Sequence, residues 1–398
     1  MNNYINMRKM IDISDPLWGY AKKHDLVDLS VKYENTPYLS HNQEQFINMC
    51  SCSYLGLDTH PEILNGAAES VLKTGTLHLT TARTRLYISM LEELETSLGD
   101  HFNSNAVSYI SCSAATSAFL PIYASGILSN DIKPYMIFDK KTHFSMNHIK
   151  PICGDETHTT TCKHHDLNYI EEMCKQHKKV AYIADGTHSI EGFAPIDELK
   201  YLQHKYGLFL YLDDSHGFSI LGESGKGYVM QKIHDFNEEE TVVVGSLAKA
   251  FGACGGVLLT GRKSIKYTLV KYGNPWSQYI NSAGIGGIQA SLKIHQSNEL
   301  IIRQKQWLNN LRILDSQFES LNKNTLSPIR VVLLRSPEKV IKIAKKILER
   351  GFYTSAVFFP IVQKDMAGLR IMPRADIDKD VMSEFCKILQ EECQGELI

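Results

Sequence analysis

Short apolar runs recur between residues 58 and 290, each bounded by polar loops: 107–110, 135–138, 180–183, 208–212 and 241–244. Their hydrophobicity is nearly continuous rather than alternating, which marks strands covered on both faces, as in a mostly parallel sheet. Amphipathic stretches lie between them, so the region reads as α/β, a sheet sandwiched by helices. Ahead of it, His60-Pro61 opens a predicted helix over 61–73, with proline in the first turn where its missing N–H costs nothing. Beyond about 290 the pattern changes. Residues 292–321 predict a helix, 330–334 a strand and 339–350 an amphipathic helix, whose Val340, Ile343, Ala344, Ile347 and Leu348 recur at helical spacing. The lysines at 339, 342, 345 and 346 form its solvated face. The reading is an N-terminal arm over 1–57, a large α/β domain over 58–290 and a small C-terminal α+β domain over 291–398.

Composition narrows the function classes. With 398 residues, 43% hydrophobic and 22% charged, the chain can bury large cores and is neither disordered nor fibrous. Forty-two Lys+Arg against 44 Asp+Glu leave a net charge of −2, so nucleic acid and anionic membrane surfaces are not expected partners. No apolar run reaches the ~18 residues of a membrane span. Nine cysteines, an odd number, and an N-terminus without an apolar export core point to reduced thiols in a cytoplasm. Cys162 with His164 and His165 lacks the paired spacing of a metal site, and no metal is expected. The segment GESGKG at 222–227 fails the spacing of a P-loop.

Ligands of open α/β sheets gather beyond the carboxyl ends of the strands. The 208–212 run leads into Asp213-Asp214-Ser215-His216-Gly217, and the 241–244 run into Gly245-Ser246-Leu247-Ala248-Lys249. A lysine among small and apolar neighbours loses its proton more easily, as a Schiff-base nucleophile requires. An acid at the neighbouring strand end is the partner a protonated pyridine nitrogen needs. Asp213 and Lys249, each just past a strand and 36 residues apart, therefore point to a pyridoxal phosphate site.

Five segments strengthen this. YLDDSHGFSILGESGKG at 211–227 resembles the D-[DE]-[AS]-H-x-x-G-x-x-G-x-x-G-x-G signature of the α-oxoamine synthases, and VGSLAKAFGACGG at 244–256 resembles that family's G-[TS]-x-[SAG]-K-[AGST]-F-G-x-x-G-G segment. SYLGLDTHP at 53–61 is similar to its N-D-Y-L-G-L-x-x-H-P opening, and DGTHSIEG at 185–192 to its E-G-x-[FY]-S-M-D-G run. LRI at 369–371 sits where the family has R-[LI]-R-[IFL]. The matches keep the family's order over roughly 48–390.

The resemblance implies a fold type I pyridoxal 5′-phosphate transferase acting as a homodimer. Its substrates would be an amino acid and an acyl thioester, acyl-CoA or acyl carrier protein, condensed with decarboxylation to an α-aminoketone. Lys249 would hold the cofactor and move the proton at Cα. Asp213 would pair with the ring nitrogen, His143 (in DKKTHFS, 139–145) would stack on the ring, and His216 and Ser189 would lie at its O3′ edge. Ser246 and the turn SCSAAT at 111–116, through Ser113 and Ala114, would hold the phosphate at a helix start. Arg370 would grip the substrate carboxylate.

The chain also departs from that family. Leu91 replaces a histidine of the family's pattern, Leu77, His78 and Leu79 replace small residues, Cys52 replaces the opening asparagine, and the segment around Ser277-Gln278-Tyr279 lacks the usual prolines. The autoinducer synthase branch also lacks the histidine. His188, in a usually aromatic position, reads as a shape substitute, and Cys50 and Cys52 as small packing residues beside the site. Two alternatives stay open: another fold type I enzyme, an aminotransferase or lyase, and a non-catalytic partner subunit.

Overall fold

A computed structural model describes residues 7–35, 37–233, 236, 240–363 and 365–394. Its central sheet has seven strands in the order Asn105–Tyr109, Gly256–Thr260, Thr241–Ser246, Phe209–Asp213, Val180–Asp185, Tyr135–Asp139, Thr159–Cys162. Pairing is parallel throughout except at Gly256–Thr260, which runs antiparallel to both neighbours. Five of the strands are the predicted runs. The other two escaped because Gly256–Thr260 begins within the Gly255-Gly256 pair and Thr159–Cys162 is a largely polar edge.

Successive residues of the buried strands feed opposite cores. Tyr182, Ala184, Leu210, Leu212 and Val243 pack on one face, and Ala181, Ile183, Phe209, Tyr211 and Val242 on the other. The helix Cys112–Ala124 covers the second face, its Phe119 and Tyr123 rings stacked on Phe209. Register keeps the strand ends level: Asp213 stands opposite Asp185 on one side and Val244 on the other.

The C-terminal segment forms an antiparallel sheet, Arg330–Arg335, Ala367–Ile371, Ser355–Val357, backed by the helices Pro337–Glu349 and Lys379–Cys393. The predicted helix over 292–321 is two helices, Ser282–His295 and Asn298–Gln317, because Ser297 caps the second by accepting from the Glu299 N–H. The helix read as 61–73 spans Pro61–Thr74.

The N-terminal residues do not stand apart. Strand Glu44–Asn48 pairs with Phe352–Tyr353, and Ala21, Leu26, Ile47 and Met49 share one core with Val340, Ile347 and Phe385. Beyond that core the Met372 N–H donates to Met49 O at 2.7 Å and the Ala375 N–H to Tyr54 O at 2.8 Å. Buried Arg374 clamps Asp58 and Asp376. These bonds bring the segment carrying Cys50, Cys52 and Tyr54 alongside Arg370 and up to the carboxyl edge of the large sheet. Among the described residues, no helix is long and apolar enough to cross a membrane. All nine cysteines are free thiols.

Candidate active site

Four adjacent parallel strands end in side chains that converge. At the end of Phe209–Asp213, the Asp213 carboxylate is 4% exposed; its Oδ1 accepts from the Ser215 N–H at 2.9 Å and its Oδ2 from the Cys112 thiol at 3.5 Å. Ser215 Oγ in turn accepts from the Ser246 N–H at 2.8 Å, tying this loop to the one that carries Lys249. The neighbouring strand ends in buried Asp185, whose Oδ2 accepts from the His143 N–H at 2.8 Å. Burial, and then the nearby Asp213 charge, hold the Asp185 carboxyl well above the usual carboxylate range.

Lys249 lies in the turn after Thr241–Ser246, and its Nζ is 2.8 Å from His216 Nε2. His216 is buried, and its Nδ1 meets Tyr54 Oη at 2.7 Å. Burial pushes the imidazole pKa well down, and the charges of Lys249 and Arg370 add to that. His143 caps the helix Phe144–Glu156, its Nδ1 accepting from the Ser145 N–H at 3.2 Å. Burial lowers the His143 pKa, Asp213 opposes the shift, and the Lys249 and Arg370 charges add to it. The Arg370 charge reaches His143, His216, Tyr54 and Cys50, so it faces the same space. Arg370 Nε is buried without a partner among the described residues. An orphaned guanidinium N–H is costly unless a ligand completes it.

The start of helix Cys112–Ala124 forms another wall. Ser111 caps it by accepting from the Ala114 N–H at 3.1 Å, and first-turn N–H groups have no helical acceptor. Strand Gly256–Thr260 begins so close to this turn that a Cβ on Gly256 would lie 2.3 Å from the Cys112 N. Ser113 is exposed at the mouth of this turn, and Ala114 is buried. Ser246 Oγ accepts from the Ala248 N–H at 3.2 Å. Ser189 lies in the turn between Thr187–His188 and Gly192–Phe193, and its hydroxyl has no partner among the described residues.

The structure thus gathers Lys249, His216, Asp213, His143 and Arg370 within electrostatic reach of one another, with the helix start beside Asp213 through Cys112. Four contributors were not singled out from sequence: Tyr54, Cys112, Ser215 and Asp185. Asp185 carried the same signal as Asp213, an acid closing a buried strand. Tyr54 lay inside a recognised motif with no role attached.

Other candidates resolve differently. His188 Nδ1 accepts from the Ile190 and Glu191 N–H groups, both at 3.0 Å, and Nε2 donates to Lys141 O at 2.7 Å, so the ring holds a turn. Burial lowers its pKa to about 4. Asp139 clusters with His164 and His165, close enough to ligate an ion. Both carboxylate oxygens are already filled, by the Lys141 and His165 N–H groups, His164 Nδ1 and the Tyr182 hydroxyl. Leu91 is fully buried in the core, so the family's histidine position does not open on the site in this chain.

Pyridoxal phosphate fits these residues: a buried carboxylate for a ring nitrogen, a lysine in the neighbouring loop, a helix start packed closely on Gly256 for a phosphate, and an orphaned guanidinium N–H for a carboxylate. A mostly parallel sheet carrying this set at its carboxyl edge defines the class of fold type I pyridoxal phosphate-dependent enzymes. The chain belongs to the aminotransferase class I and II family, whose model matches residues 44–389.

Within that family it groups with the α-oxoamine synthases. It is 27% identical over 368 residues to the 8-amino-7-oxononanoate synthase of Alkaliphilus metalliredigens, covering 88% of each chain. It is 28% identical over 357 residues to that of Coprothermobacter proteolyticus, covering 85% of each. Among solved structures, a serine palmitoyltransferase from S. paucimobilis with bound PLP–myriocin superposes with TM-score 0.81 at 17% identity, over 97% of this chain and 98% of that one. An 8-amino-7-oxononanoate synthase from Francisella tularensis gives TM-score 0.69 at 19% identity, over 88% and 98%.

Proposed function

We propose that this protein is a pyridoxal phosphate-dependent acyltransferase that joins an amino acid to an acyl thioester and releases carbon dioxide, giving an α-aminoketone. The observation that carries the reading is the meeting of Lys249, His216 and Tyr54 at hydrogen-bond distance beside buried Asp213 and the orphaned Arg370 N–H. Pyridoxal phosphate, when bound, supplies the electron sink that lets an amino acid give up a group at Cα.

The chain's own residues do the rest. Lys249 holds the cofactor and carries the proton to and from Cα. Asp213 keeps the ring nitrogen protonated. His143 covers the ring face, and His216 and Ser189 hold its O3′ edge. Ser113, Ala114 and Ser246 bind phosphate. Arg370 takes the amino acid's carboxylate and so sets which Cα bond faces Lys249. In the condensation the acyl group leaves the thioester sulfur for Cα, and the carboxylate departs as carbon dioxide. The thiol carrier is coenzyme A or an acyl carrier protein.

The active unit is proposed to be a cytoplasmic homodimer. Supporting the dimer are exposed Leu77, Leu79, Leu86 and Trp276, on loops joined by the Arg83 N–H to Pro275 O and the Ser277 N–H to Thr81 O. Such an apolar face is unusual on a monomer.

The test is the visible absorption of the purified protein loaded with pyridoxal phosphate and titrated with single amino acids. Thiol and carbon dioxide release are then measured with acyl-CoA and acyl carrier protein. A spectral shift with one amino acid and coupled release of both products is expected. Amination of the cofactor without thiol release would replace this reading with an aminotransferase.

A further inference from the structure

We propose that Tyr54 is a positioning residue that fixes the proton of His216 on Nδ1, leaving Nε2 as a standing acceptor beside Lys249. The His216 ring is buried with both nitrogens engaged, Nδ1 at 2.7 Å from Tyr54 Oη and Nε2 at 2.8 Å from Lys249 Nζ. The direction follows from the other side of the ring. A lysine ammonium offers donors and no acceptor, so Nε2 accepts from Lys249 and the proton of the neutral ring stands on Nδ1, where Tyr54 Oη accepts it. The Tyr54 hydroxyl proton is then left to the Met372 thioether, 3.9 Å away, which can only accept. A neutral imidazole carries one proton, so Nε2 presents a lone pair to Lys249.

The ring stays neutral because it is buried and because Lys249, Arg370, His143 and His188 face it as cationic or ionisable groups. Without the Tyr54 oxygen, the Nδ1–H would be buried without an acceptor. The preference for the Nδ1–H tautomer would be weakened by the worth of that hydrogen bond, while Lys249 still opposes a proton on Nε2. Tyr54 is itself fully buried, and burial holds its hydroxyl protonated. The residue comes from the segment stitched to the C-terminal sheet, so the docking of that segment sets the proton arrangement at a lysine on the large sheet.

The proposal rests on the functional reading only for what Nε2 serves once the enzyme is loaded; the tautomer belongs to the cofactor-free protein. Nitrogen-15 NMR of histidine-labelled, cofactor-free protein reads it directly, with the His216 signals assigned by their loss in His216→Asn. A single tautomer protonated at Nδ1 is expected. Tyr54→Phe, which keeps the ring and removes only the oxygen, is expected to shift the tautomer ratio toward Nε2–H by about threefold to tenfold, the worth of one ordinary hydrogen bond.

A wild-type ring protonated at Nε2 would overturn the proposal, and that measurement needs no variant to fold. A Tyr54→Phe protein with the wild-type ratio would also overturn it and leave Tyr54 a packing residue. Failure of the acyltransferase reading would leave both tautomer results standing.

Discussion

Loss of Glu95 breaks a buried ion pair behind the strand that leads to the helix start at Ser111. The Glu95 carboxylate, 3% exposed, accepts from Arg83 Nη1 at 2.9 Å and Nη2 at 3.1 Å, and from the Ser108 N–H and hydroxyl at 2.9 and 3.0 Å. Arg83 is 7% exposed, with its Nε unpartnered among the described residues. Burial alone would lower the Arg83 pKa; the Glu95 charge and hydrogen bonds, with smaller contributions from Tyr109 and Tyr87, together outweigh it and hold the guanidinium above its ordinary value. Glu95→Ala therefore strands a buried cation and two donors of Ser108, a change that costs about 3–5 kcal/mol.

Glu95→Gln keeps the shape and some of the bonds and is expected to lose about half as much. Arg83→Met with Glu95→Leu removes both charges, and is expected to be less damaging than Glu95→Ala alone. Urea unfolding of the cofactor-free protein at unchanged slope reads all three. The same strand and loops carry the Ile110 N–H to Gln278 O at 2.7 Å, just before the helix start at Ser111. Cofactor affinity is thus expected to fall with stability. Glu95→Ala within about 1 kcal/mol of wild type, or a double variant no better than the single one, would refute the reasoning.

Three further outcomes are expected. Gly256→Ala places a Cβ 2.3 Å from the Cys112 N and forces the helix start to shift. It should cost about 1–3 kcal/mol by overpacking, and weaken pyridoxal phosphate binding measured by fluorescence titration. Arg370→Gln should weaken the amino acid's spectral titration by about 10- to 150-fold, the worth of a charge-assisted hydrogen bond, with cofactor binding retained; equal titration would remove Arg370 from the substrate site.

The third concerns pH. Burial lowers the pKa values of His101, His143, His165, His188, His216 and His295 in the folded state. The unfolded chain therefore binds more protons at these histidines below their usual range of about 6.5, and stability falls as pH drops from there toward 4. Raised Asp185 and Asp214, the latter to about 7, bind protons in the folded state and oppose this. Six histidines outweigh two carboxyls. Urea midpoints from pH 7.5 to 4.5 should therefore fall, and a flat profile would contradict the burial of neutral rings.

How legible the molecule was in its sequence depends on the range of the interaction involved. The five strands with continuous apolar runs, and the residues just past their ends, follow from local pattern, because a parallel sheet forces its ligands to the carboxyl edge. Asp213 and Lys249 were within reach on that argument alone. His216, three residues past Asp213, shares its loop. Gly256–Thr260 was missed because its apolar run, Val257 to Leu259, is short and opens on a Gly-Gly pair that reads as a turn, and its pairing with Asn105–Tyr109 is distant in sequence. The break between Ser282–His295 and Asn298–Gln317 was legible in principle, since Ser297 before Glu299 is a capping pattern that a continuous hydrophobic reading overran.

Tyr54 and Arg370 mark the deeper limit. Each lies in a short motif, but they share one site only because Met372 and Ala375 donate backbone hydrogen bonds across more than 300 residues to Met49 and Tyr54. No local periodicity encodes such a bond. Cys112 is a further case: a thiol at a helix start reads as small and apolar, and only the tertiary approach of Asp213 makes it a donor to a buried carboxylate. The sequence therefore exposes the groups that hold a cofactor more readily than those that hold its holders. The hydrogen-bond partners of His216 and Asp213 are where this chain's chemistry departs from what its motifs alone predict.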